Sequence, residues 1–394
     1  MSGDTTTPDP PQANEARKDR YQPGALISEK YLLHAPLGEG GMGTVWLAQN
    51  TVLQSQVAIK LIHASLHCDE IAARFLLEAR VEARFTHPNI VRVLDFGKTE
   101  LGDPYIVMEL LDGITLGDLI EQRGKLAPVE AVQMILPIVD ALCHAHDKGV
   151  VHRDLKPDNI LLHREERATR PKLLDFGVAK QMDAAPERPP TQDGALVGSP
   201  AYMAPEQAQC SERVDHRVDV WAICVVLHEA ISGKRAFPGE GYVALRAVME
   251  SSVPPLEETG AGERELSRVL GRGLRKDPAL RFQTMRELGA ALAQWLHERG
   301  VREDLDGTRL SRTWPIVVKP APIDPLAPAP RPRARARPML IAAIVLGTIA
   351  VPANTSFTLS PRPQRYVADK AQVLITRLLA SINTGEPARK GAEY

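Results

Sequence analysis

His152-Arg153-Asp154-Leu155-Lys156-Pro157-Asp158-Asn159, followed by Leu174-Asp175-Phe176-Gly177, decides how the chain is read. The first stretch sets two carboxylates, an ammonium and an amide into a few residues. Apolar runs flank it, Val150-Val151 before and Ile160-Leu161-Leu162 after, and both read as short strands pinning a polar loop. Lys172-Leu173-Leu174 is a further strand-like run that delivers another carboxylate, Asp175. Carboxylate and amide oxygens suit hard magnesium, and a separate carboxylate can accept a proton from an attacking hydroxyl. Those are the parts that phosphoryl transfer requires.

These residues resemble the catalytic and metal-binding loops of the protein kinase family. The resemblance implies an α+β, two-lobed fold, with a small antiparallel β-rich N-lobe carrying one helix and a larger helical C-lobe. It implies that Asp154 orients and deprotonates the substrate hydroxyl, that Lys156 contacts the transferred phosphate, and that Asn159 and Asp175 hold Mg2+. The competing reading, a solvated loop that happens to carry charge, fits an isolated Asp-Phe-Gly better than this whole constellation.

At 394 residues the chain exceeds one small domain, and its 44% apolar content is enough for a sizeable core. The formal net charge of −1 gives no argument for nucleic-acid binding. Cys68, Cys143, Cys210 and Cys224 lie far apart without a Cys-x-x-Cys pair, which suits reduced thiols rather than a disulfide framework or a zinc site. Residues 1–25, rich in Thr, Pro, Asp and Gln, predict a disordered lead-in. No positively charged start is followed by an apolar stretch, so no secretory signal peptide is expected.

From Tyr31 the pattern changes. Gly38, Gly40 and Gly43 carry Gly-x-Gly-x-x-Gly spacing, which lets backbone N–H groups approach phosphate oxygens. The motif alone also marks dinucleotide-binding folds and ordinary hairpin turns. Val45-Trp46-Leu47-Ala48 and Val57-Ala58-Ile59-Lys60, on its C-terminal side, read as strands, so a hairpin is expected and not a strand–loop–helix. Lys60 ends an apolar strand, where an unpaired ammonium is costly. By the resemblance it meets ATP phosphates and Glu78; the plain alternatives are a lysine reaching water and a surface pair of Glu78 with Arg74. Asp69 to Phe85 has helical spacing, with Ile71, Phe75 and Ala79 on one face. The resemblance adds Leu37, Val45 and Ala58 to the nucleotide site.

Pro88 ends that helix, and Val91 to Phe96 and Tyr105 to Leu110 predict two further strands. In the family register Met108 backs the adenine pocket, a role compatible with plain core filling, and the backbone from Glu109 to Leu111 addresses the adenine edge. Near residue 112 the pattern turns from strand-rich to helix-rich, giving lobes at 31–111 and 112–298. Residues 128–148 predict an apolar helix through the larger lobe. His144 and His146 are two apart and share no helix face, so they are expected to be structural.

Asp175 to Glu206 has the composition of a mobile surface loop and ends at Ala204-Pro205-Glu206. Gly198-Ser199-Pro200-Ala201-Tyr202 resembles the substrate-docking stretch of serine/threonine kinases. Thr191 and Ser199 are the candidate phosphosites, read through Arg153, which in this family often pairs with a phosphorylated segment. The family pattern also makes Asp219 a brace for the catalytic loop and Arg281 the partner of Glu206. Cys224 stands where the family usually has glycine.

Residues 299–338 predict a Pro- and Arg-rich linker, stiffest over 315–338. Arg331, Arg333, Arg335 and Arg337 precede an apolar run from Met339 to Val351, too short as a helix for a bilayer core of ~30 Å. Extension to Leu359 reaches that length but admits Pro352 and Asn354. Length favours a docking helix; the basic cluster favours a single-pass inner-membrane anchor over 339–359 with a cytoplasmic kinase domain. Residues 360–394 form a short tail. The resemblance, closest to bacterial members, implies an ATP- and Mg2+-dependent serine/threonine protein kinase regulated by autophosphorylation, acting on protein substrates and self-associating for phosphorylation in trans. A catalytically silent kinase-like scaffold is the alternative, against which the retention of Lys60, Asp154, Asn159 and Asp175 speaks.

Overall fold

The computed structural model of the chain describes residues 21–40, 43–62, 69–166, 168–176, 199–209, 211, 214–260 and 263–317, without the side chains of Gly40, 69–74 and Glu78. The first 20 residues, Thr191 and everything from residue 318 on, including the apolar run and the tail, lie outside the described residues.

Six strands form one antiparallel sheet: β1 (Leu26–Ile27), β2 (Tyr31–Gly40), β3 (Gly43–Asn50), β4 (Ser55–Ile62), β5 (Val93–Lys98) and β6 (Pro104–Glu109), in the order β1-β2-β3-β4-β6-β5. Gly38 and Gly40 therefore lie at the end of β2, paired with the start of β3, where Gly40 faces Gly43. Pro36 has no N–H to donate to a ladder, and the β2–β3 register shifts on both sides of it. Along β4 the two-residue period sorts side chains cleanly. Val57, Ile59 and Leu61 join the outer cluster with Tyr31, Trp46 and Tyr105, whereas Ala58 and Ile62, on the face of Lys60, join an inner cluster. Helix α1 (Asp69–Glu82) covers that inner face through Phe75 and Ala79.

Tyr21 to Ala25, expected within the lead-in, pack against this sheet instead. The Tyr21 hydroxyl donates to Asp103 Oδ2 (2.5 Å), and Gly24 N–H donates to the Leu33 carbonyl (2.8 Å). Tyr21 and the backbone bonds to β2 anchor the segment, which composition averaged over 25 residues hides.

A second sheet, β7 (Gly113–Thr115), β8 (Ile160–Arg164) and β9 (Thr169–Leu173), opens the larger lobe. Helix α2 (Leu116–Arg123) starts at a reciprocal cap, with Thr115 N–H donating to Asp118 and Asp118 N–H to Thr115 Oγ1. Helices α3 (Pro128–His146) and α5 (Arg217–Ser232) are buried almost all round and fill the centre of the lobe. A one-turn α4 (Pro205–Ala208), then α6 (Gly241–Glu250), α7 (Arg264–Gly273) and α8 (Met285–Glu298) surround them. Among the described residues α3 alone is long and apolar enough to cross a membrane, and it is the core of the lobe.

Two expectations shift. Val150-Val151 form no strand, because the N–H groups there are claimed elsewhere: Val150 donates to the Ala145 carbonyl, and His152 and Arg153 to Asp219. Residues 299–317, expected as linker, fold back onto the lobe. The short α9 (Leu310–Thr313) buries Leu310 and Trp314 against its core.

Candidate active site

Strand β4 and the loop after β9 approach each other between the two sheets. Lys60 Nζ lies 2.8 Å from Asp175 Oδ2, so the residues that the sequence placed on separate strands meet as an ion pair. Burial opposes the charge on Asp175, but the adjacent Lys60 ammonium more than offsets it and holds the carboxyl below its usual range. The side chain of Glu78, and with it the expected pairing with Lys60, lies outside the described residues.

The stretch around Asp154 is held by its backbone. Asp219, fully buried on α5, accepts the N–H of His152 from Oδ2 and that of Arg153 from Oδ1, each at 2.9 Å, and His146 Nε2 lies 2.7 Å from Oδ2. Its burial disfavours charge, yet the His146 hydrogen bond and neighbouring imidazoles bring its carboxyl below the usual range. His146 is thus structural, as its helix position suggested. Arg153 (φ 65°) and Asp175 (φ 42°) are both left-handed. That conformation costs a non-glycine residue about 1–3 kcal/mol and persists only where neighbours enforce it. Asp219 and the Gln207 amide, which donates to the Arg153 carbonyl (3.1 Å), do so for Arg153. Around Asp175, Leu174 N–H donates to the Asn159 carbonyl (2.9 Å), His152 Nε2 lies 3.1 Å from the Leu174 carbonyl, and Phe176 is buried between Phe85 and His152.

Asn159, in the one-turn 3₁₀ helix Pro157–Asn159, donates from Nδ2 to the Asp154 carbonyl at 2.7 Å. That bond orients the amide through its nitrogen, so that Oδ1 is the atom suited to a hard cation. With the Asp175 carboxylate this makes a hard, oxygen-only donor set, which fits magnesium completed by water and phosphate oxygens. No cluster of three or more His, Cys, Asp or Glu fit for a metal occurs among the described residues. Lys156 lies 3.6 Å from Asp158 and is partly exposed beside the loop.

Most of the apolar residues expected around a nucleotide come together as well. Val45, Ala58, Met108 and Leu111 belong to one cluster with Leu174, directly before Asp175. Leu37 is exposed on β2 near the hairpin turn. At Gly38 a Cβ would meet open space, but at Gly43 it would collide with the Leu61 carbonyl, so Gly43 also serves the close approach of β3 to β4. Glu109 N–H is already committed to the Arg92 carbonyl (3.0 Å), and its carboxylate grips buried Lys172 (2.7 Å). Ser199 opens the turn Pro200–Tyr202, and Tyr202 donates to Glu229 (2.7 Å). Arg281 and Glu206 form the expected pair, and it is bidentate, with both bonds at 2.7 Å.

One residue of the site escaped the sequence: Glu82, almost fully buried at the end of α1, accepts the Phe176 N–H at 2.6 Å from Oε1. Set between Arg80 and Arg84, it reads as ordinary surface charge.

A strand-rich lobe whose lysine meets a loop carboxylate of a helical lobe, above a braced acidic loop, is the architecture of the protein kinases. Residues 31–291 match the protein kinase domain model, and the chain belongs to that family. It is similar to the serine/threonine-protein kinase PknB of Mycolicibacterium smegmatis, with 38% identity over 69% of this chain and 44% of that protein. With the serine/threonine-protein kinase pkn3 of Myxococcus xanthus it shares 37% identity over 65% of this chain and 48% of that protein. Among solved structures the kinase domain of Mycobacterium tuberculosis PknI superposes with a TM-score of 0.57 at 28% identity, covering 71% of this chain and 100% of that one. The chain thus spans less than half the length of these curated relatives.

Proposed function

We propose that this chain transfers the γ-phosphoryl group of ATP to serine and threonine hydroxyls of proteins. The observation that carries this reading is the Lys60–Asp175 pair at 2.8 Å, which brings the cationic and metal-binding ends of a triphosphate site together across the two sheets. Asp154 accepts the proton of the attacking hydroxyl, Lys156 steadies the transferred group, and Lys60 aligns the phosphates beneath Gly38, Gly40 and Gly43. Val45, Ala58, Leu37 and Leu111 sandwich the purine, and the backbone from Glu109 to Leu111 reads its edge. Asn159 and Asp175 would hold Mg2+, which when bound neutralises and positions the phosphates. Preorganisation does most of the work: a loop fixed by Asp219 need not reorganise when charge develops.

Incubation of the purified chain with labelled ATP and a generic basic protein tests the reading. Asp154→Ala lowers incorporation by about a thousandfold or more, and equal labelling of variant and wild type sinks the mechanism in favour of a silent scaffold. Regulation acts through Arg153, whose Nε is buried without a hydrogen-bond partner among the described residues. Phosphate on Thr191 or Ser199, added by a second copy of the chain, supplies an anion for it. Peptide mass spectrometry of the same labelled sample locates that phosphate; its absence from residues 181–203 refutes this part. We also propose that residues 339–359, behind their arginine cluster, anchor the chain in the inner membrane; a full-length chain that stays in the supernatant of lysed cells without detergent refutes that.

A further inference from the structure

We propose that Glu82 is a positioning residue that sets the orientation of Asp175 by gripping the peptide group immediately after it, a role that rests on Asp175 being the metal ligand.

Asp175 occupies a left-handed conformation, which Asp tolerates better than most residues but still adopts at a cost. Peptide groups on both sides must therefore be held. Before it, Leu174 is bonded through its N–H to Asn159 and through its carbonyl to His152, both parts of the catalytic stretch. After it, the Phe176 N–H is buried and donates to Glu82 Oε1 at 2.6 Å. That acceptor belongs to a different element, the last turn of α1. A buried amide that loses its acceptor carries an uncompensated desolvation penalty, and a carboxylate acceptor makes the bond short and strong. The Phe176 ring is fully enclosed by Phe85 and His152, so it cannot swing away to find water instead.

Helix α1 thereby touches the metal-binding loop through a hydrogen bond to its backbone, independently of whatever Glu78 contacts. Where α1 sits determines where Phe176 N–H points, and that fixes the rotation of the Asp175–Phe176 peptide. A helix displaced from this position releases the peptide group and lets Asp175 relax from its left-handed state. Glu82 acts through Asp175 and touches neither substrate nor nucleotide.

Three substitutions in the full chain test this. Glu82→Leu removes the acceptor while keeping bulk; Glu82→Gln keeps a carbonyl acceptor without charge; Glu82→Asp withdraws the carboxylate by one methylene. The rate of phosphorylation of a basic protein at saturating ATP is measured against Mg2+ concentration, with the melting temperature of each variant alongside. Glu82→Leu raises the Mg2+ needed for half-maximal rate fivefold or more and lowers kcat at least tenfold, while Glu82→Gln recovers to within about threefold of wild type in both. Were Glu82 only a packing residue, the melting temperature would fall without any shift in Mg2+ dependence. A wild-type Mg2+ curve for Glu82→Leu overturns the proposal, as does a Glu82→Gln variant no better than Glu82→Leu. If Glu82→Leu yields no folded protein, Glu82→Asp reads the same shift, and an unshifted curve there is equally fatal. Asp175→Asn separates the two layers. If it remains active, the underlying reading of the metal site fails; if it is inactive beside a normal Glu82→Leu, only the role of Glu82 fails.

Discussion

Arg281 carries much of the larger lobe's organisation on one guanidinium. It is fully buried, binds Glu206 through two parallel bonds, donates further to the carbonyls of Arg275, Lys276 and Arg217, and lies 5.0 Å from the Trp221 ring centroid. A pair so deeply buried contributes little net stability compared with an apolar replacement, but removing one partner strands the other charge. Arg281→Met is therefore expected to cost about 3–5 kcal/mol in urea unfolding. Adding Glu206→Gln should return part of that loss, and a strictly additive double mutant would contradict the pairing. Both residues were legible by type and position, as was Asp219; their bonding geometry was not. Glu82 shows the opposite case, since a lone acid between two arginines on a helix carries no signal of burial. Only the location of Phe176 N–H reveals what it does.

At the scale of elements, α5 and α7 show how a departure in one sequence position is absorbed in another. Cys224 replaces a small residue on a helix packed all round, and the facing residue is Gly273, where a Cβ would overlap Cys224 Sγ. Alanine is intrinsically better than glycine in a helix by about 1 kcal/mol, so an exposed site would gain from the exchange. Here overpacking opposes it at about 1–3 kcal/mol. Gly273→Ala is expected to lower the melting temperature, and Cys224→Ala in the same chain to restore most of the loss. Burial raises the Cys224 thiol to about 12, so it stays protonated and inert at neutral pH. Periodicity found these helices and the strands of the first sheet because each buries one repeating face. It missed the fate of Val150-Val151, whose backbone partners lie on distant elements.

For the described chain as a whole, the segment beyond α8 ties distant parts together. Asp306 accepts from Asn89 Nδ2 (2.8 Å), in the segment between α1 and β5, and from Arg170 on β9 (3.1 Å). Neighbouring Asp304 accepts the Thr308 N–H (2.9 Å) and is raised to about 6, first by burial and then by nearby Asp306. Its folded pKa exceeds the unfolded value, so its contribution favours the folded state at low pH and is lost as pH rises from about 4 through 6. Asp304→Asn keeps the acceptor without the charge. Discounted for partial exposure, it should stabilise the chain by about 1 kcal/mol at pH 8, with the gain vanishing near pH 4, read from melting temperatures at both pH values. A gain independent of pH would refute the assignment. Composition read residues 299–317 as linker because Leu305, Leu310 and Trp314 are spaced without period, and only the groove between α3 and α8 gives them a place. The sequence by itself determined the family and the two-lobed fold class and pointed to the chemical groups proposed for the site, because those are carried by contiguous motifs and local periodicity. Tertiary structure alone decided that Lys60 and Asp175 meet, that Glu82 holds Phe176, and that the chain past residue 298 docks. Each of these joins residues far apart along the chain, and such contacts exist only once packing has overcome the entropy of bringing them together.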